Sequence, residues 1–250
     1  MTEVQDRPAS AVDDRALSEL HDLFHAGRGQ DFATDAAVLS EVVLARYPRA
    51  TSLLDVGCGT GEHLRALARF FHEVVGLEPV PAMCDVARAK LPGVQIHHGD
   101  PRTFDLGRTF DAICCLAGTI GQMSTIDELV GVLRTMAWHL EPGGVLAIDP
   151  YWSPENHPDG QVAHHAVRDR DRTVVRLSRS TRRGDAVRHD AHYLVADRTG
   201  IRHLTHTQPL TLFTRSEYLS ALEAADCTAE QLPAAGGFAA RGLIVGIRRH

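Results

Sequence analysis

The sequence predicts an α/β protein, a doubly wound and largely parallel sheet carrying an antiparallel β insertion after its fifth strand. Three observations predict it. A short apolar run, Leu53-Leu54-Asp55-Val56, enters three glycines spaced two apart, Gly57, Gly59 and Gly61, and a helical pattern follows at once. Strand-like apolar runs then alternate with helical patterns as far as residue 149. From 160 to 213 that rhythm gives way to four segments of roughly period-two patterning, separated by turn signals.

The elements follow in order. Residues 15–27 place Leu17, Leu20 and Phe24 at helical spacing. Gly27-Arg28-Gly29 breaks the pattern, and Asp31 is the expected N-cap of a second helix over 32–46, with Phe32, Ala36, Leu39 and Val43 on one face. Then come strand 52–57, helix 61–71, strand 73–78, helix 81–91 with Pro81 in its first turn, and strand 94–98. Strand 109–116, helix 125–140 and strand 144–149 complete the run, the last entered through a Pro142-Gly143-Gly144 turn. This alternation implies parallel strands joined by right-handed crossovers. In the insertion, Asp169-Arg170-Asp171, Arg183-Gly184-Asp185 and Arg198-Thr199-Gly200 are the turns of an antiparallel meander. A helix near 215–225 and strands near 228–233 and 242–248 return the chain to the core.

The glycine loop narrows the ligand. Residues without Cβ let a ligand lie against the strand-to-helix turn and leave backbone N–H groups free to point at it. The loop has no Lys-Ser/Thr for a nucleoside triphosphate, and it reads Gly-x-Gly-x-Gly where dinucleotide folds carry Gly-x-Gly-x-x-Gly. It suits a ligand with little or no phosphate. Glu78 ends the next apolar strand, 21 residues after Gly57, where an acid in such folds accepts hydrogen bonds from a ribose diol. Asp100 follows the third strand and can hold the exocyclic amine of a base. With Asp55 beside the loop, three acids and no phosphate clamp describe a cationic adenosine derivative, and S-adenosylmethionine is the obvious candidate. An α/β sheet whose turns merely need glycine would leave the ordered acids unexplained.

This set resembles motifs I, II and III of the class I S-adenosylmethionine-dependent methyltransferases, over Leu53 to about Pro150. The resemblance implies a Rossmann-like sheet, S-adenosylmethionine as methyl donor, S-adenosylhomocysteine as product, and no metal. The expected cofactor contacts are Asp55, Gly57, Cys58, Gly59 and Gly61 in the loop, and Glu78, Pro79 and Met83 after the second strand. Asp100 and Pro101 after the third strand and Leu116 after the fourth complete them.

Four further segments narrow the resemblance: 19–24 (Glu-Leu-His-Asp-Leu-Phe), 27–32 (Gly-Arg-Gly-Gln-Asp-Phe), 150–155 (Pro-Tyr-Trp-Ser-Pro-Glu) and 240–243 (Ala-Arg-Gly-Leu). They are similar to segments of the nucleotide-linked amino-sugar N-methyltransferases of macrolide-antibiotic biosynthesis. By that likeness Phe32 packs on the methionyl part of the cofactor, Arg28 orients its carboxylate, and Tyr151, Trp152 and Arg241 line the acceptor site. The chain departs from the pattern on the acceptor side. His21 stands where family members carry Tyr, Gln122 where they carry His, Tyr151 where Trp is usual, and Ala240 in place of a small polar context. The methyl donor therefore transfers more safely than the acceptor, which can be an amine of a nucleotide-linked amino sugar or a hydroxyl of a sugar or other natural product.

Composition bounds the rest. A chain of 250 residues fits one α/β domain with an insertion, and a formal net charge of -6 argues against a general polyanion binder. No apolar run spans a bilayer, and residues 1–14 are polar and acidic, so a frayed tail and a cytoplasmic enzyme are expected. The expected organisation is that tail, a helical cap over 15–47, a cofactor-binding core over 48–150, a β lid over 151–214, and return elements over 215–250. A small-molecule acceptor and a homodimer are the expected partners, with neither nucleic acid nor membrane. Five cysteines without paired spacing read as buried reduced thiols. His164-His165 and His203-x-x-His206 lack an acid or cysteine to complete a metal ligand set.

Between 161 and 215 there are 11 Arg against 5 Asp. Either these arginines solvate an outer strand face that resists edge pairing, or some turn inward to an anionic acceptor. Mechanistically, a sulfonium methyl must meet a lone pair in line at about 3–3.5 Å, so placement is the main task. An amine needs only to be neutral when it attacks, whereas a hydroxyl calls for a base. His21 is the candidate base and Gln122 a candidate hydrogen-bond partner of the acceptor. Two other classes remain in view. A nucleic-acid methyltransferase would carry an Asn/Asp-Pro-Pro-Tyr/Phe element where this chain reads Leu116-Ala117-Gly118-Thr119. A non-catalytic cofactor binder would lack an open acceptor pocket.

Overall fold

Buried apolar residues alternate along the first strand between two helix layers, and this periodicity builds the sandwich. Leu54 and Val56 join one apolar cluster while Leu53, on the opposite face of the strand, joins the other. The computed structural model describes residues 14–27, 29–169, 171–233, 238 and 241–250. The first thirteen residues of the expected tail, Arg28 and Ala240 lie outside the described residues.

Two helices open the described chain, α1 (Asp14–Gly27) and α2 (Phe32–Arg46). The core then runs β1 (Ser52–Val56), α3 (Glu62–Leu67), β2 (Glu73–Glu78), α4 (Pro81–Lys90), β3 (Gln95–His98), β4 (Phe110–Cys115), α5 (Ile126–Trp138) and β5 (Leu140–Ile148). A 3-10 turn at Thr119–Gln122 precedes α5. Four long strands follow, β6 (Val162–Asp169), β7 (Arg172–Arg183), β8 (Ala186–Asp197) and β9 (Gly200–Thr211). Helix α6 (Arg215–Ala224) and strands β10 (Cys227–Leu232) and β11 (Leu243–Arg248) close the chain.

The main sheet has the order β10-β11-β5-β4-β1-β2-β3, with parallel pairing from β5 to β3. The order reverses between β1 and β4, and ligands of such sheets lie at that switch point beyond the carboxyl strand ends. The last two strands pair antiparallel, β11 on β5 and β10 on β11. Helices α5 and α6 cover one face through residues such as Leu129, Leu133, Tyr218 and Leu222. Helices α2, α3 and α4 cover the other through Leu39, Leu64 and Ala87. Strands β6 to β9 form a separate antiparallel sheet, and their turns fall at the predicted positions.

Asp31 caps α2 as expected, accepting from Ala33 N and Thr34 N. Two boundaries differ from the sequence reading. The helix expected over 61–71 is regular only to Leu67, after which Arg69 N–H and Phe70 N–H bond back three residues and tighten the chain into turns. The Pro142-Gly143-Gly144 turn lies inside β5, which already pairs Leu140 with Phe110 and resumes with Val145 opposite Ala112. The residues between form a bulge, because Pro142 has no N–H to give the ladder. All five cysteines are buried free thiols, and burial raises the Cys58, Cys114, Cys115 and Cys227 thiols above their ordinary range.

Candidate active site at the strand tips

The glycine loop leaves β1 in a left-handed course, with φ of +77° at Gly57, +56° at Gly59 and +83° at Gly61. A Cβ on Gly57 would stand 2.6 Å from Thr119 Cγ2, so that residue packs against the turn after β4. A Cβ on Gly59 would meet only His21 Cε1 and Met83 Sδ, each at 3.9 Å. Gly59 therefore faces a gap bounded by α1 and α4, a cradle that a side chain would fill.

Glu78 fixes this loop from below. Its Oε2 accepts the Gly59 N–H at 2.8 Å and its Oε1 accepts the Val80 N–H at 2.9 Å. Glu78 is 4% exposed, and burial raises its carboxyl above the ordinary glutamate range in spite of those two donors. Each carboxylate oxygen keeps a second lone pair, so a ribose diol can still be accepted there. Asp55 is fully buried one strand away, with Cys114 Sγ 3.5 Å from Oδ1 and no partner on Oδ2. Desolvation pushes it up to about 6, against the opposing pull of His63.

A third buried carboxylate, Asp35 on α2, was not read from the sequence as a site residue. Its Oδ2 accepts from Gln30 Nε2 at 2.6 Å and lies 3.3 Å from His63 Nε2, while Oδ1 is buried without a partner. The Phe32 ring meets His63 edge to face at 4.9 Å. The available signal was a charged residue in phase with the apolar face Ala36, Leu39, Val43 of its helix. Orphaned oxygens on two buried acids beside the glycine loop are the expected lining for a positively charged group.

On the other side of the loop, Asp100 is held by Arg102 through Nε at 2.9 Å and Nη2 at 2.6 Å. Pro79, Asp100, Pro101, Gln122 and Met123 line one cavity. The structure thus brings Gln122 to the residues expected around the base, while Gly118 and Gly121 of the same turn pack against Tyr151. Leu116 is buried at the end of β4, and Ala117 beyond it takes the left-handed φ of +56°, a strained turn at the strand tip.

Helix α1 closes the loop from above. Thr60 donates its hydroxyl hydrogen to Asp22 Oδ1, so the His21 Nδ1 at 3.2 Å is the donor to Thr60 Oγ1. In neutral His21 the lone pair is then on Nε2, which makes no hydrogen bond among the described residues. Asp22 also accepts from Lys90 Nζ at 2.5 Å, and Lys90 reaches Glu62 Oε1 at 2.8 Å. The sequence reading missed Asp22, Thr60 and Lys90 because their pairing spans three elements.

At the end of β5, Asp149 accepts Arg241 Nη2 at 2.9 Å and 3.1 Å, and the Arg241 guanidinium carbon lies 5.6 Å from the Trp152 ring centre. Burial raises the Asp149 carboxyl while Arg241 opposes that shift. Tyr151 and Trp152 pack against Val187, Leu210 and Leu212 of the second sheet region. Among the described residues no three His, Cys, Asp or Glu side chains converge as metal ligands, and no helix is long and apolar enough to cross a membrane.

Sheet order, the glycine loop at the switch point, the acid at the end of β2 and the acid after β3 define a class I S-adenosylmethionine-dependent methyltransferase. The profile of the methyltransferase domain family matches residues 53–144. The chain is 46% identical over 92% of its length to a dTDP-4-amino-2,3,4,6-tetradeoxy-D-glucose N,N-dimethyltransferase of Saccharopolyspora spinosa, covering 92% of that protein. It is 42% identical to a dTDP-3-amino-3,4,6-trideoxy-alpha-D-glucopyranose N,N-dimethyltransferase of Streptomyces venezuelae, covering 92% of this chain and 97% of that one. The structure of a sugar N-methyltransferase from a Streptoalloteichus species superposes with a TM-score of 0.88 at 48% identity, covering 100% of this chain and 98% of that one. This chain belongs to the sugar N-methyltransferase family of class I enzymes.

Proposed function

We propose that the enzyme methylates the amine of a nucleotide-linked amino sugar in antibiotic biosynthesis. The observation that carries this reading is near full-length similarity to N,N-dimethyltransferases that includes the antiparallel sheet, whose Val187 and Leu210 pack with Tyr151 and Trp152 beyond the end of β5. The two relatives carry their amines at different sugar positions, so the position methylated here is left to experiment.

S-adenosylmethionine supplies an electrophilic methyl on a cationic sulfur that departs as a neutral thioether. The chain's own residues bind and place. Glu78 faces the ribose and Asp100 with Pro79 and Pro101 the base, with Gln122 on the base side of the cavity. Phe32, Asp35, Asp55 and Arg28 serve the methionyl end. Helix α1 lies over the loop and shuts out water, and the His21 ring stands at the Gly59 cradle, its Cε1 3.9 Å from where a Cβ on Gly59 would lie. Tyr151, Trp152 and Arg241 hold the acceptor at the end of β5. A neutral amine needs no base to attack, so an aminosugar that sheds its proton before binding can react once positioned.

Incubation with labelled S-adenosylmethionine and a panel of nucleotide-amino sugars, hydroxyl analogues and RNA tests the reading. Label is expected on the amine of a nucleotide-linked sugar. Label on hydroxyl analogues alone would move the enzyme to O-methylation, and label on RNA alone would remove the small-molecule reading.

A further inference from the structure

The register of the antiparallel sheet sorts its arginines into two faces. Val167, Val174 and Val195 pack on Leu20 of α1, so their face is turned to the core. Side chains two residues apart share a face, which places Arg172, Arg176, Arg182 and Arg202 on that side. Three of the four have carboxylate partners: Arg172 with Asp169, Arg182 with Asp185, and Arg202 with Asp197. Arg176 has no carboxylate partner among the described residues, and its Nε is buried without a hydrogen bond.

What surrounds Arg176 holds it in place without neutralising it. Its guanidinium carbon lies 4.8 Å from the Phe24 ring centre and 5.7 Å from that of Tyr193. Its Nη2 is 2.7 Å from His189 Nε2. A guanidinium can only donate, so Nε2 is the acceptor, and Nδ1–H of His189 donates to Ser180 Oγ at 2.9 Å. Ser180 pairs with His189 across the ladder, and Val187, two residues before His189, packs with Tyr151 and Trp152 beyond the tip of β5. The chain of contacts runs from Phe24 on the capping helix to the strand tips, along the roof of the proposed acceptor site. A cation half-removed from water, set against two aromatic rings and lacking a counter-charge is costly unless a ligand brings the anion.

We propose that Arg176, braced by His189 and Ser180, binds the diphosphate of the nucleotide-linked acceptor. This rests on the reading of the acceptor given above, and it names the group through which the second sheet selects the nucleotide-linked form. The planar fork suits two phosphate oxygens at once, which a lysine's single ammonium does not.

The test is calorimetric binding of thymidine diphosphate and of S-adenosylmethionine to the full chain and to Arg176→Gln and Arg176→Lys. Arg176→Gln is expected to weaken thymidine diphosphate binding about tenfold or more while S-adenosylmethionine affinity stays within about twofold. Arg176→Lys keeps the charge and the stem, so it guards against a folding defect, and it is expected to recover only part of that loss. Equal diphosphate affinity in wild type and Arg176→Lys, with Arg176→Gln either unaffected or weakened for both ligands together, would overturn the assignment while leaving the acceptor reading intact. Failure of the wild type to bind thymidine diphosphate, together with methylation of free amino sugars, would overturn both.

Discussion

Lys90 Nζ lies 2.5 Å from Asp22 Oδ2, and this contact ties the last turn of α4 to the helix that covers the glycine loop. Thr60, in the loop itself, donates to the same carboxylate. Burial acts to raise Asp22, but hydrogen bonds from His21, Lys90 and Thr60 outweigh it and hold the carboxyl well below its ordinary range. A lowered acid stabilises the fold above its unfolded value and loses that contribution as pH falls through the folded one. Asp22→Asn should therefore destabilise the protein by on the order of 1 kcal/mol near neutrality, with the difference from wild type shrinking below about pH 4. It should also raise the KM for S-adenosylmethionine, because the cap over the loop loosens. Thermal melts across pH and a cofactor titration measure both effects; a pH-independent difference in stability would contradict the account.

Asp55 carries the opposite sign. Desolvation places it at about 6 in the folded protein against an ordinary 3.8, so its contribution to stability is full below the unfolded value and is lost as pH rises through about 6. By linkage that loss is on the order of 2–3 kcal/mol in the ligand-free protein. A cationic ligand at the loop favours the carboxylate, so cofactor binding should release a proton and weaken as pH falls below about 6. Calorimetry in buffers of different ionisation enthalpy at pH 5.5 reads that proton directly. Asp55→Asn should bind more weakly and without proton release, and an unchanged proton count in that variant would remove Asp55 from the linkage.

The glycine loop separates structural from ligand-facing positions. Alanine at Gly57 meets both a left-handed φ and Thr119 Cγ2, and should cost the fold about 2 kcal/mol or more. Alanine at Gly59 has the same backbone strain but open space toward His21 and Met83, so stability should fall by only about 1–2 kcal/mol. Cofactor affinity should fall more steeply in Gly59→Ala, whose methyl enters the cradle. Chemical denaturation and binding isotherms on the two variants rank them, and similar binding losses in both would argue against the cradle.

Glu78→Ala removes an acceptor for the ribose and, as the structure adds, the clamp on Gly59 N–H and Val80 N–H. Cofactor binding should weaken by about 1.5–3 kcal/mol, the range of a lost charge-assisted hydrogen bond. An unchanged dissociation constant would refute the ribose assignment.

Local signals were legible in the sequence wherever one segment sets its own geometry. Asp31 caps α2 because its side chain reaches N–H groups two and three residues on, and the turns of the meander sit at their Gly and Asp signals. The core motifs belong to the same group, since each strand end delivers its acid to the switch point without help from distant residues. What was hidden depends on partners far along the chain. Asp22 and Lys90 are 68 residues apart, and nothing in either neighbourhood marks the pair. Asp35 and His63 meet only when α2 packs on α3. The inward arginines could not be separated from the outward ones before the register of β7 was fixed, because a slip of one residue exchanges the faces. The bulge at Pro142 to Gly144 was hidden for a related reason: a turn signal does not say whether pairing resumes on its far side.

His21 distinguishes the two acceptor chemistries. Its Nδ1–H is shared between Thr60 Oγ1 and Asp22 Oδ1, which leaves Nε2 as the nitrogen able to take a proton. If the acceptor is an amine, it attacks after losing its proton to solvent, and His21 serves as packing and as a fixed edge of the pocket. His21→Gln should then lower kcat by less than about tenfold and leave the shape of the pH profile unchanged. For a hydroxyl acceptor a general base contributes about 100-fold to 10,000-fold, and the same variant should lose that rate together with the acidic limb of the profile. Measuring kcat against pH for wild type and His21→Gln with the amine and hydroxyl acceptors decides between them. A large loss on an amine acceptor would mean that His21 accepts the ammonium proton inside the closed site and that deprotonation in solvent does not suffice.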